Sequence, residues 1–200
     1  MENKNSAWFD ENSLPKEMIN GALGTNGWPR LEYSDHFKSL DNLIKLSDGI
    51  KIGDIGCGAA ELGRVYSEYE YTGYDLPHII EKVAKIVNPN LQYEYFDADN
   101  FDYSKLSNQD ILVCNSFISE LLNPLEILEK ILEHTNNILI IHRQFFTEID
   151  EISSYTTYAG LPTSRCHISL ENFKKILKSH KIIEHTSAEY GDSLLIKKIS

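Results

Sequence analysis

The chain has 200 residues, 42% hydrophobic and 24% charged, which is enough for one core and too little for two independent ones. Its 19 Lys and Arg against 30 Asp and Glu leave a net charge of −11; that field repels phosphate polyanions and anionic lipid, so neither nucleic acid nor membrane is expected as a partner. The cysteines Cys57, Cys114 and Cys166 are odd in number and far apart, without a CxxC pair or zinc spacing, which excludes a disulfide framework and fits a reducing compartment.

The opening MENKNSAWFDEN lacks the basic start and apolar run of a signal peptide, and no apolar stretch approaches membrane-spanning length, so a cytoplasmic protein is expected. Residues 1–34 hold both tryptophans and no clear period. They read as an arm with one short helix, either a tail packing Trp8 and Trp28 on the core or a lid over a substrate, ahead of a folded domain at 35–200. Phe37, Leu40, Leu43, Ile44 and Leu46 recur at helical spacing. Alternation then predicts a strand at 50–55, a helix at 59–67, a strand at 71–75, a helix at 77–87 and strands at 91–96 and 110–116. A helix at 124–135 opened by Pro124 and a strand at 137–142 follow.

The stretch 144–168 reads as a long binding loop, weak in periodicity yet too aromatic in SYTTYAGLPTSRCH for plain disorder. A helix capped by Ser169 and strands at 181–189 and 192–199 close the chain, the last two near enough to pair antiparallel. The fold class expected is α/β: a Rossmann-like, seven-stranded, mostly parallel sheet with helices on both faces and an antiparallel edge strand.

In such sheets a ligand sits beyond the carboxyl ends of the strands, beside the first of them. Gly56 and Gly58 occupy that end of the first strand, where the missing Cβ permits positive φ or close approach of a ligand. Glu61 stands where a dinucleotide fingerprint has its third glycine, and Asp54 precedes the turn. Two carboxylates there oppose a pyrophosphate and suit a ligand with cationic ends.

The run GDIGCGAAELG resembles the first motif of class I S-adenosylmethionine-dependent methyltransferases. The resemblance covers about residues 37–200 and implies S-adenosylmethionine as cofactor. It implies Asp54, Gly56, Cys57 and Gly58 around the methionine part, and Asp75, followed by Leu76, on the ribose hydroxyls. Asp99 would take the adenine amino group with Ala98 and Asn100 flanking the ring, and Asn115, Ser116 and Phe117 would lie against the methionine part and the substrate. Cys57 itself reads as a small buried filler.

Methyl transfer needs a base only when the acceptor must lose a proton. His142, with an ordinary pKa of about 6.5, is the favoured base, and Arg143 is the alternative site residue, a fork for an oxyanion or sugar oxygen. Opposite faces of a regular strand put only one of the two into the cleft. Glu120 orients a substrate hydroxyl or starts a helix, and Tyr155, Tyr158, Arg165 and His167 form an aromatic and basic set for closing over an acceptor.

No HExxH or other metal set is evident, so no metal is expected. The Asn-Pro-Pro-Tyr motif of enzymes that N-methylate adenine or glutamine is absent. More loosely, residues 115–168 resemble small methyltransferases found with surface-polysaccharide assembly genes, which implies a sugar or small-metabolite hydroxyl as acceptor, ahead of an amine. Those proteins carry an acid-Arg pair where this chain has His142 and Arg143. The rival readings are a nucleotide-dependent oxidoreductase on a related sheet and a non-catalytic binding module of the same fold.

Overall fold

The structure is a computed structural model describing residues 6–157 and 159–199. Its main sheet is formed by β1 (Lys51–Ile55), β2 (Glu70–Asp75), β3 (Gln92–Tyr95), β4 (Ile111–Asn115), β5 (Ile138–Gln144), β9 (His180–Ala188) and β10 (Gly191–Lys198). The order is β3-β2-β1-β4-β5-β10-β9, with β1 to β5 parallel and β10 antiparallel to both its neighbours. Chain order reverses between β1 and β4, so the crevice that binds ligands in this topology opens at the ends of those strands.

Alternation along the strands builds two cores. Leu112, Cys114, Leu139 and Ile141 face Ile127, Leu128 and Ile131 of α5 (Pro124–Glu133) and Phe173 of α6 (Leu170–Ile176). Ile111, Val113, Ile138 and Ile140 face Leu40, Leu43 and Ile44 of α2 (Phe37–Lys45). Burying each of those three α2 side chains contributes about 2 kcal/mol, and this anchors the helix leading into β1. The Ser169 hydroxyl caps α6 as expected, accepting from the Asn172 amide at 3.4 Å.

Several features differ from the sequence expectation. The helix after β1, α3 (Glu61–Val65), starts late because Ala60 is left-handed at φ 57°. The helical segment α4, 77–87, is wound as a π-helix over Ile80–Ala84. The stretch 144–168 is not an irregular loop. It contains β6 (Phe146–Thr147), β7 (Glu151–Thr156) and β8 (Pro162–Ser169), paired in the order β6-β8-β7. Its alternation is hard to see in sequence because one face of the β7–β8 hairpin covers the cavity, with Arg165 and Thr156 among the residues it presents, rather than a close-packed core.

The arm is more regular than expected: α1 (Ser13–Leu23) is preceded by Asp10, whose Oδ1 accepts from the amides of Asn12, Ser13 and Leu14. It ends at Gly24, left-handed at φ 70°, with the Thr25 amide returning to the Asn20 carbonyl. Ala22 and Met18 of α1 pack against Ile79 and Val83 of α4, which seats the helix beside the crevice.

Candidate functional site

A cavity of about 610 Å³ opens at the carboxyl ends of β1, β2 and β4, the size range of a small-molecule site. One half is built by the glycine turn. Gly56 (φ 75°), Gly58 (φ 54°) and Ala60 (φ 57°) are all left-handed. A Cβ on Gly56 would lie 2.7 Å from the Phe117 ring; at Gly58 the nearest atom is the movable Met18 Cε at 3.0 Å, and it is the left-handed backbone there that disfavours a larger residue. The amides of Gly56 and Cys57 donate to the Tyr74 carbonyl, and that of Gly58 to Asp75 Oδ2 at 2.8 Å. Asp75 Oδ1 takes the Leu76 amide at 2.7 Å. Burial pushes the Asp75 carboxyl up to about 6, against the pull of those two amides.

Leu76, Ala98, Asn115, Ser116 and Phe117 line the cavity, together with Ile79 and Phe96. Cys57 also lines it; burial drives its thiol pKa well up, so it fills space and offers no thiolate. Asp54 is corrected. It lies behind the turn at 4% exposure, outside the cavity lining, and accepts from the Tyr71 hydroxyl at 2.8 Å. Burial pushes its carboxyl up to about 7.

Asp99 and Asn100 are corrected as well: both are exposed and outside the lining, and the acid in the cavity is Asp97. After β3, Phe96 turns into the core and Asp97 into the cavity. Asp97 then accepts from the Asp99 amide and the Asn100 side chain, which swing outward in a turn. The Asp-Ala-Asp triplet holds two acids, and the buried Phe96 decides which of them enters the cavity.

The other half is set by a bulge. In the pairing of β5 with β10, Ser193 faces His142 and Asp192 faces Gln144, which leaves Arg143 as the inserted residue at φ 59°. A Cβ on Gly191 would lie 3.0 Å from the Arg143 carbonyl carbon, so the glycine makes room for the bulge. Arg143 is thereby aimed into the cavity, where its Nε donates to Asn115 Oδ1 at 3.1 Å. Ser116, at φ 57°, is a second left-handed side-chain-bearing residue on the same wall.

His142, expected as the base, continues the opposite face of β5 and is 1% exposed, outside the cavity. Its Nε2 lies 3.2 Å from His36 Nδ1 and its Nδ1 lies 2.7 Å from Ser193 Oγ, while Arg143 reaches His36 Nε2 at 3.4 Å. An arginine only donates, and this fixes every proton in the series. His36 accepts at Nε2 and donates from Nδ1 to His142, which donates from Nδ1 to Ser193. Ser193 then donates to Ser39, which donates to the His36 carbonyl. Both imidazoles are neutral, with burial and the Arg143 charge holding His36 down at about 4 and His142 at about 3. His142 therefore supports Arg143 from behind the wall and is not positioned to take a proton from a substrate.

Glu120 and Arg165 line the cavity with Tyr155, Thr156 and Thr157 of the hairpin and Trp8 of the arm. His167 does not. It shares a face of β8 with Arg165 but sits two residues, about 7 Å, further along, stacked on Phe145 and 3.3 Å from Glu151. Tyr158 lies outside the described residues. Nothing in the sequence marked Asp97, Met18, Ala22 and Ile79 as wall residues; Trp8 and Trp28, for which a tail on the core and a lid were both open, line the cavity, and so does Tyr155. Among the described residues no group of three or more His, Cys, Asp or Glu is placed to hold a metal ion, and no helix is long and apolar enough to cross a membrane.

No protein-family model matches the chain, and no curated protein matches it. Solved structures do. An S-adenosylmethionine-bound amino pentose methyltransferase from Micromonospora echinaspora, CalS10, aligns at 11% identity and TM-score 0.63 over 84% of this chain and 93% of its own. An S-adenosylmethionine-dependent methyltransferase from Mesorhizobium loti aligns at 11% and 0.64 over 84% and 100%. The N-terminal domain of EvdMO1, crystallised with S-adenosylhomocysteine and D-fucose, aligns at 10% and 0.57 over 98% and 100%. The chain thus has the Rossmann-like fold on which these S-adenosylmethionine-dependent methyltransferases are built.

Proposed function

We propose that this chain is an enzyme that transfers a methyl group from S-adenosylmethionine to a small-molecule or sugar acceptor, at a hydroxyl in preference to an amine. The observation that carries the reading is one cavity with two chemically distinct halves. Gly56, Gly58, Asp75 and Asp97 surround one half, and Glu120, Arg143 and Arg165 the other. The first half fits the cofactor: its glycines leave a turn that a Cβ would fill, and its carboxylates suit ribose hydroxyls, an adenine amino group and a cationic amino acid. When bound, that group supplies an electrophilic methyl on sulfur.

Phe96, Ala98, Leu76 and Ile79 provide the apolar faces an adenine needs. Glu61 lines the same end, its Oε1 on the Leu31 amide at 3.0 Å, and its charge counts against the diphosphate of a nicotinamide cofactor. The bound groups of the structural neighbours, S-adenosylmethionine or S-adenosylhomocysteine, support the same choice, and the amino pentose and D-fucose in their names favour a sugar-like acceptor. A net charge of −11 disfavours nucleic acid.

Calorimetric titration tests the reading: S-adenosylhomocysteine binds, NADH does not, and Asp75→Ala weakens binding by roughly tenfold to a hundredfold, the worth of hydrogen bonds to a charged group. Binding to NADH alone overturns it.

A further inference from the structure

Three buried polar atoms at the acceptor end have no hydrogen-bond partner within 3.5 Å among the described residues: Glu120 Oε2, Arg165 Nε and Trp8 Nε1, the Trp8 N–H lying near enough to Glu120 to act on its carboxyl. All three residues line the cavity. Glu120 is 11% exposed, and its Oε1 is 3.7 Å from Arg165 NH2, an ion pair too long to satisfy the carboxylate. Arg165 is held by stacking on Tyr155 at 4.0 Å, so it is positioned without spending its Nε. Buried groups of this kind each cost about 1 to 3 kcal/mol when left unpaired, and three in one wall mark the place of a ligand that completes them.

A ligand that completes the wall accepts from Arg165 and donates to Glu120, with the Trp8 N–H, which lies by Glu120, able to turn to the same ligand oxygen. A hydroxyl does both. An amine does both only in its neutral form; as the ammonium that prevails at neutral pH it only donates, and would leave the N–H groups unsatisfied beside two guanidiniums. We propose that Glu120 is the proton acceptor for a hydroxyl of a polyhydroxylated, sugar-like acceptor, with Arg165 Nε and Trp8 Nε1 donating to that oxygen or its neighbour.

This rests on the methyl-transfer reading above. The hydroxyl proton passes to Glu120 Oε2, the freed oxygen pair forms the O–CH3 bond, and the pair of the broken S–CH3 bond stays on sulfur. The cationic sulfur and the carboxylate both end neutral, and Glu120 later returns its proton to water.

Three other cavity carboxylates already accept hydrogen bonds, Asp75 from two amides, Glu61 from the Leu31 amide and Asp97 from the Asp99 amide and the Asn100 side chain, and they lie at the glycine-turn half, as does Glu17 of α1. Burial raises the Glu120 carboxyl, while the Arg165 charge, the Trp8 N–H, the Arg143 charge and the Ser119 hydroxyl oppose the rise; a raised carboxyl is the stronger base for proton removal. Tyr155, Trp8 and Phe117 supply aromatic faces for the C–H side of a sugar ring.

The test compares wild type with Glu120→Gln, using S-adenosylhomocysteine titration as the check on folding and on the cofactor half. Methylation rates are measured over free hexoses, methyl glycosides and sugar nucleotides, and over their amino counterparts. Independently, the same compounds are added to the S-adenosylhomocysteine complex of a Trp28→Phe chain while the Trp8 indole N–H resonance is followed. The expected result is unchanged S-adenosylhomocysteine affinity within about threefold, a loss of turnover of roughly a hundredfold or more in Glu120→Gln, and a shifted Trp8 resonance with hydroxylated compounds. Turnover of the variant within about threefold of wild type, methylation of the amino compounds alone, or a Trp8 resonance unmoved by every hydroxylated compound overturns the assignment. Failure of wild type to bind S-adenosylhomocysteine would sink the methyl-transfer reading itself.

Discussion

Asp54 shows what one buried carboxyl does to the molecule. Its pKa, about 7 in the fold against about 4 unfolded, means that the folded state holds the proton more tightly. The stabilisation this gives is complete below pH 4 and is lost as pH rises through 7. Replacing the group by a neutral isostere removes that dependence while keeping an oxygen for the Tyr71 hydroxyl. Asp54→Asn is therefore expected to raise stability at pH 8 by about 1 to 4 kcal/mol and to change it little at pH 4, measured by urea denaturation at the two pH values. The residue scale is also where sequence and structure part. Asp54 and Asp97 lie within a few residues of where the motif puts acids, yet the direction each faces depends on Tyr71 and Phe96, which no spacing rule includes.

At the scale of elements, the alternation of Ile138 to Ile141 was legible and both faces of β5 are packed as it requires. The break in that alternation was not legible, since it depends on Gly191, nearly fifty residues away, passing close behind Arg143. The hairpin of β7 and β8 escaped for a related reason: Arg165 and Tyr155 face a cavity, so polarity there carries no core pattern.

The bulge and its support make a prediction. His142→Ala leaves the His36 N–H and the Ser193 hydroxyl without their partner, and opens a hole behind the wall. A stability loss of about 2 to 4 kcal/mol is expected, with S-adenosylhomocysteine affinity held, by denaturation and calorimetry on the same variant. A large loss of affinity at intact stability would mean that the imidazole reaches the cavity after all.

For the whole molecule, the parallel sheet and its switch point follow from the order of strands and helices, and the glycine turn marks the crevice. The arm could not be placed from sequence because its helix buries few side chains and draws its position from α4. Its contribution is to close the cavity from outside. Trp28 lines the mouth yet remains 62% exposed, so a ligand seated there dries one face of the indole. A blue shift of tryptophan emission on adding S-adenosylhomocysteine is expected, and it should shrink in Trp28→Phe. An unchanged spectrum would place the ligand away from the arm.

Arg143 is an insertion in the β5 edge and not a rung of its ladder with β10. Sliding that insertion back by one position would swap which of two consecutive side chains meets the reactants, an imidazole for a guanidinium, while every strand stayed where it is. Descendants of this scaffold thus have a short evolutionary path between an anion-holding wall and a proton-accepting one, and it runs through the residue at 191 rather than through the site itself.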